Sequence, residues 1–218
     1  MTRKSSSAET GGERPLKGAV TRARIVEATI QCLIKYGYAH TTTLKVAEEA
    51  QLSRGAMMYH FENGAALLVA AAQELHERRL QAHVERAKVV DHDETGTLVQ
   101  QTWELFSDSG FLAFLELAMA ARTDEDLARV LIPMQREYTE RWRREAVALY
   151  PEWQTAPELF DLTLSMTQVT LHGIAVSMMT NGMSEEKISL ILKNLAGQIG
   201  SMRQTARAKP ADDGVRGA

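Results

Sequence analysis

Cysteine is nearly absent: Cys32 is the single one in 218 residues, so no disulfide forms within the chain and small-domain stapling is excluded. Proline is sparse too, with five residues, and aromatics make up only 6%. No run of eighteen apolar residues occurs, which excludes a membrane-spanning helix by the usual length criterion. The first twenty residues lack the apolar stretch of a secretory signal, so a cytoplasmic location is expected. Strand-like alternation and internal repeats are missing. So are a nucleophile elbow, a phosphate-binding glycine loop and carboxylates paired in a catalytic context, and no enzyme or cofactor is expected. The six histidines are scattered. His76 and His83 share a helix face without a third ligand, and the segment Asp91-His92-Asp93-Glu94 holds too few preorganised groups for a structural metal.

What remains is an ordinary globular composition, 44% apolar and 24% charged, with a net charge of −3. The charge is unevenly spread. Residues 1–60 hold nine Lys/Arg against five Glu, a surplus of +4, while the rest of the chain holds sixteen basic and twenty-three acidic residues. A polyanion is drawn to the N-terminal quarter and repelled by the remainder.

Helical periodicity dominates after residue 20. Residues 1–20, with Gly11-Gly12 and Pro15, read as a disordered arm. Thr21 is a candidate cap for a helix whose apolar face includes Ile25, Ala28, Cys32 and Tyr36, ending at Gly37. One of Thr41, Thr42 and Thr43 caps a short helix to Ala50. Ser53 caps another, from Arg54 to about Phe61. A longer helix is expected over Ala65–Val90. Further helices follow over Thr97–Asp108, Gly110–Ala121, Asp126 to about Leu149, Leu159 to about Met179, and from Ser184 to about Met202. Pro133 predicts a kink or break in the third of these, and Thr155-Ala156-Pro157-Glu158 resembles a capping box. The expectation is an all-α chain of about nine helices. It divides into an arm (1–20), a helix-turn-helix (21–66), a larger helical ligand-binding and dimerisation domain (67–206) and a flexible tail (207–218).

Helices as short as those at 43–50 and 54–61 are marginal alone. They make sense when pinned by longer neighbours, as in a helix-turn-helix whose second member enters the major groove. Arg54 can reach a guanine edge or a phosphate. Gly55 and Ala56 are small enough for close approach, and Tyr59 and His60 supply donors to phosphates. Ser53 caps the helix, and Thr42 and Thr43 offer hydroxyls and backbone N–H groups to the DNA backbone. Met57 is expected in the core. A solvated surface helix is the plainer alternative for Arg54, Tyr59 and His60.

The helix over Ile25–Tyr38, the stretch Thr42–Ala50, the run Ser53-Arg54-Gly55-Ala56-Met57-Met58-Tyr59-His60-Phe61 and Ala66-Leu67-Leu68 together resemble the DNA-binding domain of the TetR family. The resemblance covers about residues 21–70. It implies a homodimeric transcription factor, usually a repressor, released from an operator in double-stranded DNA by a small ligand. This sequence departs from the family pattern at three positions. Gln51 stands where the turn commonly has Gly, at a cost of about 1 kcal/mol if that position needs positive φ. Met58 replaces a frequent aromatic and offers apolar contact only. Gly64 replaces a Lys that commonly opens the next helix, leaving Arg22, Arg24 or Lys45 to supply that phosphate contact.

Trp103, Phe106, Phe111, Phe114, Met119, Trp142, Met166 and His172 are candidates to line a cavity for an apolar or amphipathic ligand, with packed core as the plainer reading. The last two helices are apolar over more than one face. Leu171, Ile174, Met178, Ile188, Leu192, Leu195 and Ile199 are therefore the candidate dimer interface, in a four-helix bundle, with a purely intramolecular core as the plainer reading. An alternative function is a small-molecule or protein binding module with weak or vestigial DNA binding.

Overall fold

Long stretches of strong helix formers, broken by turn residues such as Gly37 and Asn181-Gly182, give an all-α fold among the described residues. A computed structural model describes residues 13–88 and 94–208. Among these are nine α-helices: α1 (Glu13–Tyr36), α2 (Thr43–Glu49), α3 (Arg54–Met58), α4 (Gly64–Ala87), α5 (Thr95–Phe106), α6 (Ser109–Ala121), α7 (Glu125–Leu149), α8 (Pro157–Met179) and α9 (Glu185–Ala208). Short 3-10 turns lie at Tyr38–His40 and Pro151–Thr155. No described helix is long and apolar enough to cross a membrane.

Local chemistry explains most boundaries. The Thr42 hydroxyl accepts from the Lys45 N–H at 3.3 Å, and the Ser53 hydroxyl accepts from the Ala56 N–H at 3.1 Å, which caps α2 and α3. Asn63 caps α4 through Ala66, at 2.9 Å. Asp124 caps α7 through Leu127, also at 2.9 Å. Past α8, the Gly182 N–H returns to the Ser177 carbonyl at 2.9 Å, with Asn181 at a φ of 52°.

Four expectations are corrected. The helix does not begin after Thr21: α1 already runs from Glu13, so residues 13–20 are not an arm. Pro15 falls in the first turn, where its missing N–H costs nothing, and the Thr21 hydroxyl donates to the Lys17 carbonyl one turn back instead of capping. Of the kink or break expected at Pro133 the break is absent, because α7 is continuous from Glu125 to Leu149. Thr155 caps nothing: its hydroxyl donates to the Glu152 and Ala206 carbonyls, and α8 starts without a side-chain cap. Arg207 and Ala208 belong to α9 and not to a tail. The rest of the proposed arm (1–12), the tail from 209 onward and the segment around His92 lie outside the described residues.

The chain divides into two compact units, and it passes between them inside α4, α6 and α7. The first takes in the described residues up to His76 together with Leu112–Met134. Its core holds Ile25, Leu33, Val46, Met57 and Leu117. The second takes in Glu77–Phe111 and the described residues from Gln135 onward. There the tilted rings of Trp153 and Phe160, 5.4 Å apart, cluster with Ala146, Ala156 and Ala206. Beside this cluster the buried Arg203 donates through Nε and Nη2 to one Glu152 oxygen, at 2.8 and 2.7 Å. Burial pushes the Glu152 carboxyl up, but hydrogen bonding and the Arg203 and Arg207 charges outweigh it and hold the group below its ordinary range.

Gln51 sits in the turn at a φ of 53°, the left-handed region that a side chain disfavours. Gln51→Gly is expected to raise stability by roughly 0.5–1 kcal/mol, part of the relieved strain being offset by the freer unfolded chain. Chemical denaturation of the two proteins checks it, and a lower midpoint for the variant would contradict the strain.

Candidate nucleic-acid interface and ligand cavity

The five residues of α3 form little more than one turn, so packing must hold it. Met57 does so with 0% exposure, and Phe61 just beyond is also buried. Inward pointing of Met57 turns its neighbours outward: Ser53, Arg54, Gly55 and Ala56 are exposed, and Tyr59 is 88% exposed. Met58 and His60 are half-buried, and His60 meets Tyr59 edge-on at 5.4 Å. At the start of α2, Thr42 is exposed and Thr43 half-buried. Two cations flank this surface on aromatic rings. The exposed Arg22 guanidinium lies 4.9 Å from the centre of Phe61, and the Lys45 ammonium 4.3 Å from the centre of Tyr36. A Cβ at Gly64 would meet only the Thr43 methyl, at 3.6 Å, so the helix start beside α2 has room for a side chain.

The same unit fastens the end of α1 to α6 and α7. Gly37 has a φ of 71°, and a Cβ there would come within 2.9 Å of a Glu116 oxygen. That oxygen accepts the Tyr38 N–H at 2.8 Å. The Tyr38 hydroxyl donates to Asp124 at 2.5 Å, a bond that, with burial, pushes the phenol up to about 12. Sequence periodicity missed this clamp because it joins residues more than seventy positions apart.

In the second unit a cavity of about 100 Å³ is walled by residues of α4, α5, α7, α8 and α9 together with the 3-10 turn before α8. Of the eight proposed ligand-site residues, only Trp142 lines it. Trp142, Phe106 and His172 line a second hollow of about 20 Å³, and Trp103 lines a groove along α5 and α9. Phe111 is packed at 5.1 Å on His172. Met166 is half-buried and lines none of these spaces. Phe114 and Met119 fall in the first unit. There Phe114 meets His76 at 5.2 Å and Met119 is 61% exposed, so neither belongs to the cavity. The polar lining went unrecognised in the sequence: His83, Arg86, Thr102, Thr163, Thr167 and Arg203. The signal was there, in the three- and four-residue steps from His76 through Arg79 and His83 to Arg86, and in Thr163 and Thr167 one turn apart.

The proposed dimer residues are mostly spent within the chain. Leu171, Ile174, Ile188, Leu192 and Leu195 are buried in it, and Ile199 lines the cavity. Only Met178 is exposed. The apolar side chains left outside are Leu162, Val169, Val176 and Met179 on α8 and Leu190 on α9.

Comparison with known proteins bears on this geometry. The family described as bacterial regulatory proteins, tetR family, matches residues 25–71. An HTH-type transcriptional regulator of Mycobacterium tuberculosis is 27% identical over 158 residues, covering 72% of this chain and 81% of its own. The HTH-type transcriptional regulator TtgR of Pseudomonas putida is 35% identical over 105 residues, covering 47% of this chain and 45% of its own. The crystal structure of a TetR family transcription regulator from Marinobacter aquaeolei VT8 superposes with a TM-score of 0.62 at 16% identity, over 84% of this chain and 97% of that one. At that identity the likeness is one of fold.

His83 and His172 in the second unit are both pushed down from 6.5 to about 4, chiefly by burial and secondarily by Arg86 and Arg79 respectively. The folded chain therefore holds both rings neutral while the unfolded chain protonates them below pH 6.5. The stability they confer is complete above that value and is lost as the pH falls towards 4. Denaturation at pH 7.5 and pH 5 is expected to show a loss on the order of 1–3 kcal/mol per group. The loss should shrink in a His83→Gln, His172→Gln double variant, and an unchanged loss would contradict the assignment.

Proposed function

We propose that the chain is a DNA-binding transcriptional regulator of the TetR family, a reading supported by the family match over residues 25–71 and by its regulator relatives, and that it works as a cytoplasmic dimeric repressor released by a small ligand. One observation carries the DNA half of this reading. α3 buries Met57 and turns Arg54, Gly55, Ala56 and Tyr59 outward as one polar, sterically open face. That face suits the major groove: Arg54 reads a base edge or grips a phosphate, the small residues permit approach, and Tyr59 donates to the backbone. Arg22 and Lys45, braced on Phe61 and Tyr36, supply flanking phosphate contacts. Thr42, Thr43, Ser53, Met58 and His60 complete the surface.

A dimer supplies two such faces, set about one DNA turn apart on a two-fold-related operator. The surface we assign to it is the exposed stripe of α8. Leu162, Val169 and Val176 recur every seven residues there, with Val169 71% exposed. The cavity of the second unit is the ligand site. A ligand favouring one conformation shifts the population away from the one that fits adjacent grooves, and the three helices shared by both units are the covalent route for that shift.

Arg54→Ala and Tyr59→Ala are each expected to weaken specific DNA binding by ~1–3 kcal/mol without altering helicity, since both side chains are exposed. Fluorescence anisotropy with a selected operator reads the effect, and undiminished affinity in both variants would remove α3 as the reading element. Val169→Arg is expected to turn a dimer into a monomer in light scattering coupled to gel filtration, and a variant that stays dimeric would displace the interface from α8.

A further inference from the structure

The cavity of the second unit carries a chemical preference. Its apolar walls include Leu98, Leu105, Trp142 and Phe160. Three of its hydroxyls have already spent their protons within their own helices, while the Thr95 oxygen accepts from Arg203 at 3.4 Å. Thr102 donates to the Leu98 carbonyl at 2.8 Å, Thr163 to Leu159 at 2.7 Å and Thr167 to Thr163 at 2.7 Å. Each of these three hydroxyls can therefore only accept from a ligand. His83 lies against Trp142 at 5.0 Å, and its Nε2 is buried without a hydrogen-bond partner. An unsatisfied buried ring nitrogen is costly and invites a partner. The ring stays neutral at physiological pH, because burial and then the Arg86 charge push it down to about 4.

Charge narrows the choice further. The lining contains two guanidinium groups and no carboxylate. A cationic ligand finds repulsion and no counter-ion. An anionic ligand finds both arginines engaged: Arg203 is held by Glu152 at 2.7 Å, and Arg86 donates to the Gln101 carbonyl at 3.0 Å with Glu104 nearby at 3.8 Å. The volume, about 100 Å³, is of the order of the roughly 150 Å³ cavity that admits benzene in an apolar core, which suits a ligand of one ring.

We propose that this cavity binds a neutral single-ring phenol, its ring between Trp142 and Phe160 and its hydroxyl bonded to the Nε2 of His83. The ligand's regulatory role rests on the repressor reading above, whereas its chemical class rests on the cavity alone.

Isothermal titration calorimetry of the full chain with p-cresol, toluene, benzoate and benzyltrimethylammonium tests the class. The proposal expects saturable p-cresol binding, about tenfold tighter than toluene, and no measurable heat from the two ions. In the His83→Phe variant, with helicity checked by circular dichroism, p-cresol and toluene should bind alike. The Thr163→Val variant serves as a second probe of the same wall and should keep the p-cresol preference. Absence of p-cresol binding by the folded protein, equal binding of toluene, tighter binding of either ion, or a p-cresol preference that survives in His83→Phe would each overturn it. Operator binding with and without p-cresol separates the two claims. Calorimetric binding that leaves DNA affinity unchanged would uphold the ligand class and defeat ligand release, while loss of DNA binding on saturation would uphold both.

Discussion

A helix of five residues has no stability of its own, and the face proposed to read DNA depends on the burial of Met57. That one side chain decides which way α3 faces. With Met57 fully enclosed, helical geometry leaves Arg54, Gly55, Ala56 and Tyr59 on the opposite side. The Ser53 cap fixes where the helix begins, and Gln51 accepts a positive φ so that the chain turns tightly enough to bring α3 against α2. The strain at Gln51 and the exposure of Tyr59 are thus two consequences of one packing arrangement. The Tyr38 N–H to Glu116 and Tyr38 hydroxyl to Asp124 bonds then tie the end of the supporting helix to α6 and α7. The elements beneath the reading face are held by specific hydrogen bonds as well as by apolar packing.

The second unit follows a different logic. Its core is not filled everywhere, and the space left over is lined by polar as well as apolar groups. Arg203 and Glu152 neutralise one another beside it, and three threonines turn their protons back into their helices. His83 and His172 stay uncharged because the charged ring would be poorly solvated. Under the proposed ligand class, such a cavity would discriminate by charge before it discriminates by shape.

Much of the first unit could be read from sequence because local rules act there. Thr42 and Ser53 are capping residues in front of short apolar patterns, and the structure uses both as caps. Gln51 in a turn foretold its own backbone cost. The helix before Thr21 was hidden by Gly and Pro in residues 11–18, although a proline in the first turn is compatible with a helix. The last two helices misled for another reason. Apolar residues on several faces announce burial without saying by what, and Leu171, Ile174 and Leu192 turned out to be buried within the chain while Val169 and Leu190 stayed outside. The cavity was the least legible part. Of the aromatic candidates Trp142 lines it, but Phe114 and Met119 fall in the first unit, and His83 stood out in the sequence only as sharing a helix face with His76. Which side of a helix meets a void is a tertiary fact that one-dimensional periodicity does not contain.

The central claim is that two copies of the α3 face read one operator together. Nuclease footprinting of the full chain on a selected DNA fragment, with the protein-to-DNA stoichiometry measured on the same complex, tests it most directly. The account predicts two chains on a two-fold-related site, with protected half-sites centred about one helical turn apart, roughly 34–36 Å. A single chain protecting one isolated half-site, or protection with no preferred position, would contradict it.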